Sequence, residues 1–128
     1  YQLLKQQPKL LHNAIIGSLF YLPTTLFAAM WGVPFMRQNY HLTNTQASGM
    51  IIYLFLGWAI GSPLMAMIAN RLGRNYNYLI ALGGGIGFIA NLALIYGRVD
   101  ALASLLFISG LASSTQSVVW KFNKRLFP

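Results

Sequence analysis

Charged residues in this chain are confined to short gaps. Between Lys9 and Arg37 lie 27 consecutive residues without Lys, Arg, Asp or Glu, and further such runs cover 33 residues up to Arg71, 23 from Asn75 to Gly97 and 20 from Ala101 to Trp120. A helix needs about 20 mostly apolar residues to cross the hydrocarbon core of a bilayer. Backbone N–H and C=O groups find no water there, so they must be satisfied within the helix. A soluble bundle carries charge along its outer faces, whereas this chain is 56% hydrophobic and has one acid, Asp100, among 128 residues. The reading is an all-α membrane protein, a single domain of four transmembrane helices over about residues 14–36, 46–69, 76–96 and 101–120.

The net charge of +8 raises nucleic acid as a partner, but a nucleic-acid face gathers its basic residues on one surface. Here they are divided among loops, so no nucleic acid is expected, and the bilayer is the expected surrounding. If the first end is cytoplasmic, the inner segments hold Lys5, Lys9, Arg71, Arg74, Lys121, Lys124 and Arg125, and the outer loops hold Arg37 and Arg98. Basic residues favour the cytoplasmic side, so both termini are placed there. No cysteine is present, which removes disulfides and thiolate metal sites from consideration. No cofactor or metal site is legible. No nucleophile, base and orienting group fall together, and catalysis is not expected.

Along the chain, 1–12 reads as a basic lead-in in which Pro8 resists helix continuation. The first span carries Pro23 and closes on Trp31-Gly32-Val33-Pro34, an aromatic and a proline at headgroup depth. Residues 37–45 form the outer loop, and 70–75 a tight inner turn. Gly57 and Gly61 on the second span, and Gly83 and Gly87 on the third, stand four apart and predict close helix packing. The glycines at 83–87 are no phosphate loop, because they lie mid-membrane with apolar residues on both sides. The short turn 97–100 makes the third and fourth spans antiparallel neighbours. The fourth span turns small and polar from Ser109 to Ser117, a stretch suited to protein or a water-filled cavity.

The turn Ala66-Met67-Ile68-Ala69-Asn70-Arg71-Leu72-Gly73-Arg74-Asn75 resembles the loop signature of the major facilitator superfamily. That signature is a glycine, three residues, an acid, a basic residue, any residue, a glycine and two basic residues. Arg71, Gly73 and Arg74 match; Ala66, Asn70 and Asn75 depart from the pattern. The stretches Leu26–Phe35, Phe55–Leu64 and Gly110–Gln116 resemble one block of bacterial members, helices seven to ten at the start of the second half. The resemblance implies a partial bundle of a secondary transporter in a bacterial inner membrane, completed by further helices and moving a small solute by alternating access.

It also implies that Ala66, Asn70, Arg71, Gly73 and Arg74 form an inner gate loop. The first and fourth spans of each half line the cavity in that family, which points to Thr24, Thr25, Trp31, Ser113, Ser114, Gln116 and Trp120. A buried amide such as Gln116 must find partners, either across a helix interface or in substrate and water. Trp31, Trp58 and Trp120 also suit anchoring at the membrane faces, and Asn91 suits helix packing. Proton coupling commonly uses a membrane-embedded carboxylate, and none of the four spans has one. The alternative to transport is a transporter-derived subunit that packs with other membrane subunits and moves nothing.

Overall fold

Large apolar side chains cover the outside of the helices: Met30, Tyr78, Phe88, Ile89 and Tyr96 are 63–84% exposed. Water would penalise such a surface, whereas lipid matches it. The computed structural model describes residues 8–73 and 75–126. Among these the chain is all-helical, with α1 (Pro8–Leu22), a π-helical stretch (Pro23–Trp31), α2 (Gly32–Tyr40), α3 (Asn44–Leu72), α4 (Tyr76–Tyr96), a 3-10 turn (Val99–Ala101), α5 (Leu102–Ser113) and α6 (Gln116–Leu126). Four spans are long and apolar enough to cross a membrane: Pro8–Tyr40, Asn44–Leu72, Asn77–Tyr96 and Leu102–Lys121.

The helices run further than the apolar pattern suggests. Pro8–His12, read as lead-in, are helical, and a proline in a first turn gives up no intrahelical bond. Pro34 does not close the first span. It stands in the first turn of α2, which continues to Tyr40 and ends where His41 takes the left-handed conformation at φ 54°. The outer loop therefore shrinks to 41–43. Thr43 then caps α3: its hydroxyl accepts from the Gln46 amide while the Gln46 side chain accepts from the Thr43 amide. This reciprocal pair fixes the helix start two residues ahead of the expected one. At the other end α3 runs to Leu72, and Gly73, at φ 59°, supplies the positive φ that ends it.

Packing centres on the fourth span. Of its apolar window 56% is buried, against 18–22% in the other three. α5 lies between α3 and α4, and α1 runs along α6. Two apolar clusters close the ends of the bundle. Met36, Tyr40, Ala47, Ile51, Leu54, Leu94, Leu102 and Leu106 gather at the end bearing Arg37 and Arg98. Ala69, Leu79 and Val118 gather at the end bearing Arg71 and Lys121. Between them lies a layer of small and hydroxyl-bearing residues.

Candidate functional site

That middle layer is where helices approach most closely. A Cβ on Gly57 would strike the carbonyl of Phe107, and one on Gly110 the carbonyl of Leu54. The two glycines thus let α3 and α5 meet backbone to backbone. A Cβ on Gly61 would meet the side chain of Ser114, one on Gly83 the side chain of Thr115, and one on Gly87 would come within 3.2 Å of Ala112. All four sequence-nominated packing glycines therefore face the fourth span, from two sides.

Within the layer the fourth span is broken, although the sequence reads as one continuous helix. α5 ends at Ser113 and α6 starts at Gln116. The Ser114 amide is shared between the carbonyls of Gly110 and Ala112, and the amides of Thr115, Ser117 and Val118 each reach back three residues, at 3.0–3.1 Å. The Ser114 hydroxyl donates to the Leu111 carbonyl. Serine and threonine side chains compete in this way with backbone bonding, and three in succession tighten and interrupt a helix.

Most polar groups around the break are paired. Asn91 of α4 donates to its own Gly87 carbonyl at 2.7 Å and to Ser109 at 3.4 Å, joining the third and fourth spans. Ser117 donates to the Ser62 carbonyl of α3 at 3.5 Å. Two hydroxyls are not: Thr24 and Thr115 are buried and have no hydrogen-bond partner among the described residues. A buried hydroxyl left unpaired costs about 1–3 kcal/mol, which a bound water or ligand group would recover. The half-buried Gln116 amide makes no hydrogen bond to another described residue. Thr115 lay within the polar stretch legible in the sequence, but its type alone did not separate it from its serine neighbours.

Thr24 and Thr25 lie in the π-helical stretch, where bonds span five residues, as from the Gly32 amide to the Phe27 carbonyl. The Thr25 hydroxyl donates to the Tyr21 carbonyl at 3.1 Å. A Cβ on Gly32 would fall 2.5 Å from the Phe27 oxygen and 2.6 Å from Ile51, so the widened turn requires glycine. π-helical turns are concentrated at functional sites. Ser113 borders a groove of about 550 Å³ between the first and third spans, and Ser114 sits against Gly61. Trp31 and Trp120 are 63% and 60% exposed and face away from the bundle.

In the turn nominated as an inner gate, Asn70 accepts a hydrogen bond from the Lys121 ammonium at the end of the fourth span. Its partner is thus a lysine on a neighbouring helix and not a loop arginine. Arg71 is exposed, Ala66 is half-buried, and Gly73 is open to substitution by space but not by conformation. Arg74 lies outside the described residues. Compared with protein-family models, with curated proteins and with solved structures, the chain finds no match.

Proposed function

We propose that this chain is part of a secondary transporter that moves a small solute by alternating access. The observation that carries the reading is the broken, polar fourth span. Irregular backbone at membrane depth is tolerated where it is buried in protein or lines a water-filled cavity, and interrupted helices recur at transporter binding sites. The hydroxyls of Thr24 and Thr115, without a partner among the described residues, add hydrogen-bonding capacity on the first and fourth spans. Those are the two spans that the resemblance to the major facilitator superfamily nominates for the cavity.

The end bearing Lys9, Arg71 and Lys121 faces the cytoplasm on this reading, by the excess of basic residues there. Four spans do not enclose a two-half cavity, so further helices complete it. The size of the intact protein in native membrane tests this. About 400 residues, the length of twelve spans with their loops, supports transport; a stable product of about 128 residues copurifying with other subunits supports a structural role instead.

The Asn70 contact yields a second expectation. Asn70→Asp turns a neutral acceptor for Lys121 into an ion pair at the inner end. Because the pair is exposed, its gain is small, and the population shifts toward the inside-closed state by up to about fivefold. A proportionate fall in cytoplasmic labelling of Gln116→Cys is the readout; equal labelling with and without the Asn70→Asp substitution contradicts it.

A further inference from the structure

We propose that the groove between the first and third spans is a binding site for one anionic phospholipid. The groove is lined on one side by Ile16, Leu19 and Phe20 and on the other by Gly84, Phe88 and Asn91, with Ser113 contributed by the fourth span, and holds about 550 Å³. There is room beside Gly84: a Cβ there would make only an ordinary contact with the tip of Phe20, at 3.7 Å.

The groove is mostly apolar, with Ser113 and Asn91 as its polar lining, and it opens toward polar residues. Ile16 also borders a second recess of about 410 Å³, formed with His12, Asn13 and Asn77. His12 and Asn13 in turn border a third, shared with Lys9. Neighbouring recesses thus share lining residues, Ile16 between the first two and His12 and Asn13 between the last two, in the direction of the basic end. Lys9, Arg71 and Lys121 lie at that end, and the chain's one acid, Asp100, lies at the other. An anionic headgroup is therefore drawn to the mouth, and a zwitterionic one is not.

Length separates an acyl chain from a helix as the occupant. From Asn77 at the mouth to Asn91, the last α4 residue that lines the groove, is fourteen residues, about 21 Å at 1.5 Å per residue. One leaflet with its headgroup region is about 20–22 Å thick. A transmembrane helix would need a groove of twice that depth, continuing past Asn91, where α4 instead bonds to the fourth span. A lipid with its headgroup at Lys9 and one chain beside Gly84 fits both the charge and the depth. Such a site requires membrane insertion but not transport.

Native mass spectrometry of the intact, detergent-purified protein tests it, with equal amounts of phosphatidylglycerol and phosphatidylcholine added. The wild type is expected to retain one phosphatidylglycerol in preference to phosphatidylcholine. Lys9→Gln lowers that preference about fivefold, the factor equivalent to about 1 kcal/mol per basic residue near an anionic surface. Gly84→Leu, which fills the groove, lowers retention of both lipids, and Arg98→Gln at the opposite end changes neither. Lys9 is exposed, so its variant decides the matter even if Gly84→Leu fails to fold. Absence of a headgroup preference in the wild type, or unchanged preference in Lys9→Gln, overturns the proposal. A photoreactive residue at position 84 that crosslinks to a helix outside the four spans, and not to lipid, overturns it as well.

Discussion

Gly110→Val is expected to abolish recovery of folded protein, whereas Gly85→Val, 25 positions earlier, is expected to leave it unchanged. A Cβ at position 110 would press on the Leu54 carbonyl and lie 2.9 Å from the Trp58 amide nitrogen. Both are backbone atoms of a 29-residue helix, so no side chain can rotate away. Overpacking of side chains alone costs about 1–3 kcal/mol, and here two whole helices must separate. Association in a bilayer has little hydrophobic drive to offset that loss, since lipid is as apolar as the helix faces. At Gly85 nothing lies within 4 Å of the added atom. Size-exclusion chromatography of fluorescently tagged variants reads the contrast; a monodisperse Gly110→Val peak of wild-type height would contradict the backbone-to-backbone contact between α3 and α5.

Much of this arrangement is legible in the sequence because a bilayer imposes few choices. Charge-free runs longer than about 20 residues leave little but helices, and the four spans appear at the places the runs indicate. The glycines at 57, 61, 83 and 87 announce close approach, but not that all four approach the same helix. That depends on which faces of α3 and α4 turn toward the fourth span, and the turns between spans do not specify it. Helix ends are the least legible. The extension to Tyr40 rests on His41 accepting a positive φ, and the start at Asn44 rests on the Thr43–Gln46 pair, a polar signature inside what reads as loop.

The middle layer was legible as chemistry and not as shape. Ser109–Ser117 is visibly small and polar, but composition does not reveal that the backbone breaks at Ser114–Thr115, since serine and threonine are also found in intact membrane helices. The π-helical stretch has no distinct periodicity signal either. Pro23 and Gly32 bracket it, and each alone suggests only a bend. Asn70 illustrates a further limit: the turn shows an amide beside arginines, while its bonded partner is Lys121, 51 residues away.

On the transporter reading, the polar half of the fourth span faces a water-filled cavity. Because the chain contains no cysteine, a single introduced thiol in it reports its own surroundings, with any cysteines elsewhere in the intact protein removed. Gln116→Cys and Ile89→Cys are the informative pair: residue 116 follows the break in the fourth span, and Ile89 is 67% exposed on the outer face of α4. A thiol reacts with charged, water-borne reagents as its thiolate, which hydrocarbon surroundings suppress. Labelling with a charged, membrane-impermeant methanethiosulfonate in inside-out vesicles should modify Gln116→Cys at least about tenfold faster than Ile89→Cys, the ratio equivalent to about 1.4 kcal/mol of differential access. Equal, negligible labelling at both positions would place Gln116 in a dry interface and contradict the transporter reading.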